Sequence, residues 1–217
     1  SISITVDSMQ SKTKIFKTSQ SNCHRLFING MEETDLSKIL PSLFYLSEIS
    51  KSDDYLIIQS ENNFPTSSGL ASSASGIASF VTAYGAHYEI NLGLRDRIEA
   101  CILGSGSAPR SLIGGFVLMD HNNNYSCTQI LQKADWPVDV LICIASEETK
   151  EISSRQGMEI SKRTSPLYQD WLGANEKHIS LALKAIKEKD MGRLEKVTEE
   201  NCNFMHEVMK TSKPPII

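Results

Sequence analysis

The chain is short of most of the features that mark a specialised surface or compartment. No Cys-x2-Cys pair occurs. The five cysteines (Cys23, Cys101, Cys127, Cys143 and Cys202) are odd in number and widely spaced, which argues against a disulfide framework or a zinc site and for reduced thiols. No apolar run reaches the roughly 18 residues of a membrane span. The opening SISITVDS has neither the basic stretch nor the long apolar stretch of a signal peptide. Cations are in deficit, 22 Lys and Arg against 26 Asp and Glu for a net charge of −4, so there is no bulk attraction to nucleic acid or an anionic membrane. These absences fit a cytoplasmic protein with reduced thiols. What is present is 217 residues with 40% hydrophobic content, enough for one large domain or two small ones.

The pattern along the chain is mixed. Strands are expected over Ile2–Val6, Thr13–Thr18 and Arg25–Ile28, the last closed by the turn dipeptide Asn29-Gly30. Asp35 is a candidate cap for a helix through about Ile49, with Leu36, Ile39, Leu40, Leu43 and Leu46 on one face. A strand at 55–59 precedes a helix whose apolar residues include Ala74, Ile77, Ala78, Val81 and Tyr84. A helix over 94–103, a strand over Phe116–Met119 and a polar turn over His121–Asn124 follow. Val138–Ala145 is β-branched enough for a buried strand. Helices are expected over about 175–189 and 191–210, where the methionines read as core filler. The order of elements argues for an α+β fold.

Three stretches suit anions. The first is NNFPTSSGLASSASG, residues 62–76: strand, bare small-residue loop, helix start. Such a start presents unpaired N–H groups and the positive end of a helix dipole, and no bulky side chain keeps a phosphate away. A Ser/Gly/Ala loop also serves simply to cap a helix. No lysine follows Gly76, so this is not the Gly-x4-Gly-Lys phosphate loop. The second is Gly104–Ser111, GSGSAPRS. Pro109 stands where a dinucleotide fingerprint needs its third glycine; two serines and Arg110 make either an oxyanion clamp or a tight turn with a surface arginine. The third is Ser153-Ser154-Arg155, either a phosphate clamp or a helix cap with an exposed arginine. Together they suggest a small substrate with several negative groups, plus a nucleotide.

The strings are more specific than their physics. PTSSGLASSA resembles the Pro-x3-Gly-Leu-x-Ser-Ser-Ala motif of the GHMP kinase superfamily, and with Asn62-Asn63-Phe64 ahead of it, the mevalonate diphosphate decarboxylase family within it. GSGSAPRSLIGGF, SSRQGM, Thr164-Ser165-Pro166, Asn203–His206 and Pro214-Pro215-Ile216 are similar to that family's segments in the same order. The resemblance implies a GHMP kinase fold with an N-terminal α/β domain and a ferredoxin-like C-terminal domain, divided here as 1–134 and 135–217 and both incomplete. It implies ATP-dependent decarboxylation of mevalonate 5-diphosphate, with ATP and Mg²⁺ and a homodimeric protein. It assigns Gly69, Leu70, Ala71, Ser72 and Ser73 to ATP phosphates, Ser105, Ser107 and Arg110 to the substrate's anionic groups, and Ser154 and Arg155 to its diphosphate. Arg110 is then the catalytic arginine, and no protein side chain is assigned to the metal.

Two family segments are not found: the N-terminal Lys-Tyr-Trp-Gly-Lys and the late Asp-Ala-Gly-Pro-Asn that carries the catalytic aspartate. The chain is therefore expected to be a fragment lacking that carboxylate. Asp7, Asp120 and Asp135 have no motif support as substitutes. Related readings are a decarboxylase of mono-phosphorylated mevalonate or a kinase that stops after 3-phosphorylation. A reading of another class is an inactive piece that binds anionic metabolites.

Overall fold

The computed structural model describes residues 1–65, 70–123, 125–143 and 152–216. In chain order it contains β1 (Ile2–Ile4), β2 (Ser11–Thr18), β3 (Arg25–Ile28), β4 (Met31–Glu33), α1 (Leu40–Ser50), β5 (Tyr55–Asn62), α2 (Ser72–His87), α3 (Leu94–Gly104), a 3₁₀ turn (Ala108–Leu112), β6 (Phe116–Asp120), β7 (Ser126–Leu131), α4 (Ser154–Thr164), α5 (Tyr168–Glu188) and α6 (Met191–Lys210). These group into two compact units, one of Ser3–Gln129 with Val138–Thr149, the other of Ser1–Ile2, Ile130–Pro137 and Lys150–Ile217.

In the larger unit β5 lies inside a four-stranded sheet of order β2-β5-β3-β4. It runs antiparallel to β2, with Ile15 opposite Ile58, and parallel to β3, with Leu26 opposite Ile58. The parallel pair is joined through α1, as a crossover between parallel strands requires. Asn29 and Gly30 take positive φ (50° and 81°), the two-residue hairpin turn that Asn-Gly favours. Leu26, Leu56 and Ile58 from the sheet meet Leu43 and Leu46 of α1 and Phe80, Val81 and Tyr84 of α2 in one buried cluster. The expected face of α2 is all buried: Ala74, Ile77, Ala78, Val81 and Tyr84. A second sheet has the order β1-β6-β7.

The far end of α2 is fixed by a polar network. Asp54 accepts from Lys17 (2.8 Å), Ser52 (2.7 Å) and Tyr88 (3.1 Å). The Lys17 bond is the largest reason its carboxyl is held down at about 2. The Tyr84 hydroxyl lies 2.8 Å from that of Ser50, and burial pushes it up to about 12.

Several expectations change. Asp35 does not cap α1; its side chain accepts from the Ser37 N–H in a local turn, and the helix begins at Leu40 with no side-chain cap. Pro41 explains the shift: it lacks an N–H and fits only a helix's first turn, so the helix cannot start a turn earlier. Residues 138–143 form no strand, and Leu141 is 89% exposed. A β-branched run gains little without a neighbour to complete its ladder, and none pairs with it among the described residues; Ala145 lies outside them. Met191 and Met205 of α6 are exposed rather than core, while Val197 and Val208 are buried.

The smaller unit holds α4, α5 and α6. α5 and α6 form an antiparallel hairpin through Lys189, in the left-handed conformation (φ 56°), and Asp190, whose side chain caps α6 by accepting from the Arg193 N–H (3.0 Å). α5 begins earlier than its apolar spacing suggests. Pro166 ends the preceding helix, and the chain re-enters helix at Tyr168.

Candidate active site

The phosphate-loop candidate opens onto α2. Its N-cap residue, Ala71, is held at φ 55° and makes no side-chain cap bond. The Ala71 carbonyl accepts the N–H groups of Ala74 (3.0 Å) and Ser75 (3.1 Å). Ser72 and Ser73 therefore stand in a first turn whose N-cap residue, an alanine, offers no side-chain oxygen to the positive end of the helix. A left-handed alanine costs about 1–2 kcal/mol, and strain of this kind is characteristic of functional loops. Leu70 and Ala71 are placed beside these serines in sequence; Gly69, like Thr66, Ser67 and Ser68, lies outside the described residues.

The second candidate follows α3, which ends where Gly104 passes against α1 and α2. A Cβ at Gly104 would stand 2.7 Å from Ser42 Oγ and 2.8 Å from Ile77 Cδ1. Ser42 is fully buried and donates to the Ala100 carbonyl (2.7 Å), so it cannot simply swing away. Gly104→Ala is expected to cost about 1–3 kcal/mol by overpacking, which denaturant unfolding of the full-length protein measures. Beyond it, Ser105 takes an extended conformation and its N–H closes the helix on Cys101 O (2.8 Å). Ser105 Oγ and Ser107 Oγ stand 3.4 Å apart.

Arg110 sits in the 3₁₀ turn that packs on α2 and α3. Ala108 and Pro109 are its buried anchors. Pro109, an oddity in the motif, occupies the turn's first positions, where no N–H is needed. The exit is pinned as well: Gly114 O accepts from Gln129 Nε2 (2.7 Å), Ile113 O from Thr5 Oγ1 (3.1 Å) and Gly115 O from the Thr5 N–H (3.0 Å).

The Arg110 Nε is buried and has no hydrogen-bond partner among the described residues. Burial lowers the pKa of the guanidinium, and the Cys127 thiol acts against that shift. That thiol is itself pushed up by burial, so it does not neutralise the cation. A half-buried guanidinium with an unfilled donor is costly as it stands. An arriving carboxylate or phosphate removes that cost, and its planar fork takes two oxygens at once. The phosphate-loop helix and this arginine belong to the same compact unit.

Ser154 and Arg155 stand at the head of α4 in the other unit. The cap is Ser153: its side chain accepts from the Gln156 N–H (3.3 Å) while Gln156 Oε1 accepts from the Ser153 N–H (3.1 Å). With the capping work done by Ser153, Ser154 and Arg155 are left exposed, and Arg155 lines an open groove of about 540 Å³ with Gln156, Glu159 and Arg163. Ser153-x-x-Gln156 is the sequence signal that identifies α4 as a helix.

Residues 1–129 match the model of the diphosphomevalonate decarboxylase-like N-terminal domain. Residues 140–217 match that of the mevalonate 5-diphosphate decarboxylase C-terminal domain. The diphosphomevalonate decarboxylase of Ganoderma lucidum is 32% identical over 243 aligned residues, which cover all of this chain and 60% of the relative. The crystal structure of mevalonate diphosphate decarboxylase from Staphylococcus aureus superposes with a TM-score of 0.85 at 30% identity, covering 99% of this chain and 66% of that one. A structure described as MDDEF in complex with MVAPP, AMPPCP and magnesium gives 0.85 at 29% identity, over 99% and 67%. The chain thus spans about 60% of the Ganoderma relative's length, and its α+β architecture is that of the GHMP kinase fold. On the match of both domains the chain belongs to the diphosphomevalonate decarboxylase family.

Proposed function

We propose that the full-length protein catalyses ATP-dependent decarboxylation of mevalonate 5-diphosphate to isopentenyl diphosphate, with ADP, phosphate and carbon dioxide as the other products. The observation that carries this reading is the buried, unpartnered Nε of Arg110, on a turn packed against the helix that begins the phosphate-loop candidate. The complex of MDDEF with MVAPP, AMPPCP and magnesium supports ATP and Mg²⁺ as the partners of that site.

In this reading Leu70, Ala71, Ser72 and Ser73, with Gly69, cradle the nucleotide phosphates at the start of α2. Magnesium, when bound, neutralises phosphate charge during transfer. The substrate's tertiary 3-hydroxyl takes the γ-phosphoryl group, and the C–O bond then breaks as phosphate leaves. The carboxylate carbon–carbon bond breaks next, and its electron pair forms the double bond as carbon dioxide departs. Arg110 orients that carboxylate, and Ser105 and Ser107 hold neighbouring oxygens. Ser154 and Arg155 grip the diphosphate, whose binding energy places the reacting end. The division at 134/135, a homodimer and a cytoplasmic location belong to the same reading. The boundaries of the two domain matches, 129 and 140, flank that division. No helix among the described residues is long and apolar enough to cross a membrane.

Two measurements test the reading. Isopentenyl diphosphate should appear from mevalonate 5-diphosphate only when ATP is supplied; its appearance without ATP, or its absence with ATP, contradicts the reaction. Ser73→Ala should raise the KM for ATP about fivefold, the loss of one phosphate hydrogen bond, with little change in the KM for the mevalonate substrate. An unchanged KM for ATP removes Ser73 from the nucleotide site.

A further inference from the structure

The chain leaves β5 for the phosphate-loop candidate at Asn62 and Asn63, and at that point it is held from two sides by side-chain amides. On one side, Asn63 is tied to the segment between β1 and β2. Its Oδ1 accepts from the Gln10 N–H (2.7 Å), its Nδ2 donates to Ser8 O (2.8 Å) and its own N–H donates to Gln10 O (3.2 Å). On the other side, the Asn62 N–H donates to Asn29 Oδ1 (2.8 Å), and the Asn29 N–H donates to Ser60 O (2.9 Å). Asn29 is itself fixed by its place in the positive-φ hairpin turn. The next residue, Phe64, is buried, so the exit is also anchored by its ring.

Every one of these bonds runs to backbone. Asn63 uses both ends of its amide this way, so the side chain is committed to geometry rather than left open to a ligand. The three side-chain bonds join positions 33 to 55 residues apart in sequence and add to the sheet's own ladder, which the Asn63 N–H to Gln10 O and Asn29 N–H to Ser60 O bonds carry to its end. They meet where an extended strand must give way to the approach to α2. The opposite end of α2 is pinned independently through Tyr84, Tyr88 and Asp54. The start of α2 is packed on the core through Ala74, Ile77 and Ala78, so the β5 exit and the first turn of α2 bracket the phosphate-loop candidate.

We propose that Asn29 and Asn63 are positioning residues for the nucleotide: a two-sided amide clamp that sets where the chain leaves β5 and so aims the start of α2 at the ATP phosphates. This rests on the nucleotide site proposed above.

The test uses the full-length enzyme and two variants that act on opposite jaws. Asn29→Gly keeps the positive-φ turn and removes only the acceptor for Asn62. Asn63→Asp keeps the acceptor for Gln10 and replaces the donor to Ser8 O with a second oxygen. Each should raise the KM for ATP about fivefold, the effect of losing one hydrogen bond's worth of preorganisation. The KM for the mevalonate substrate should stay unchanged. Backbone amides at 62–64 and 70–75 should exchange faster in each variant, while those at 55–61 in the β2–β5 ladder keep their protection. An unchanged KM for ATP with unchanged exchange in Asn29→Gly overturns the clamp, even if Asn63→Asp fails to fold. Uniformly faster exchange across the sheet in Asn29→Gly also overturns it, since that is general destabilisation. If wild-type enzyme shows no ATP-dependent reaction, the functional reading fails by itself, and the exchange pattern alone then decides whether the clamp holds.

Discussion

Arg110→Lys in the full-length enzyme is expected to lower kcat by about 10²–10³-fold, the usual effect of removing one preorganised electrostatic contact to a reacting group, with a much smaller change in KM for the mevalonate substrate. The turn that carries Arg110 is anchored by buried Ala108 and Pro109 and held at its exit by Thr5 and Gln129. The guanidinium is thus presented in one place with its Nε buried and unfilled. A lysine at this position keeps the charge but offers a single ammonium in place of a planar fork, and cannot fix the plane of a carboxylate. That plane matters most while the carbon–carbon bond breaks, because the breaking bond must align with the orbital left by the departing phosphate. An interaction stronger in the transition state than in the ground state appears in kcat. Initial-rate kinetics decide the point, with thermal unfolding of the variant to confirm that the fold is intact. A normal kcat with a raised KM would move Arg110 from the chemical step to binding.

Arg155→Lys should do the opposite, raising the KM for the mevalonate substrate about tenfold, one good charged contact's worth, with kcat changed far less. Arg155 is exposed at the head of α4, beside a serine that does no capping work. The diphosphate it is proposed to hold does not change charge during the reaction, so the contact is equally strong before and during bond breaking. Uniform binding of that kind appears in KM. The separation is not complete, because a handle that slips also misplaces the reacting end. Measuring both constants for both arginine variants gives the cross-check. If the two patterns are reversed, the roles of Arg110 and Arg155 are exchanged.

Much of the larger unit was legible in the sequence because it rests on periodicity. Ala74, Ile77, Ala78, Val81 and Tyr84 repeat at helical spacing and all reach the core. Asn29-Gly30 forms the turn its backbone freedom favours. The failures arise where a local signal competed with something non-local or was read for one purpose only. Asp35 has the chemistry of a cap, but Pro41 sets where the helix starts. Val138–Cys143 has strand composition, yet composition does not supply a partner to pair with. Ser153 with its neighbours has the chemistry of an anion donor or a cap, and Gln156 three residues on is what makes it a capping box.

In the candidate site, the strings located the residues, but their condition was not legible. Nothing in GSGSAPRS says that the arginine's Nε is buried without a partner. That follows from the 3₁₀ turn packing on α2 and α3, and from Gly104 letting α3 close against Ser42 and Ile77. The amides of Asn29 and Asn63 were legible as turn and motif letters only, because their bonds run to residues 33 to 55 positions away.

The most direct test of the account follows the carboxyl carbon. Full-length protein is given mevalonate 5-diphosphate labelled with ¹³C in its carboxyl group, with ATP limiting, and labelled carbon dioxide is counted against ADP. The account predicts one labelled carbon dioxide for each ADP, with isopentenyl diphosphate as the unlabelled product. ADP formed while the label stays in a stable phosphorylated acid would contradict it, and would mean that the protein transfers phosphate but does not break the carbon–carbon bond.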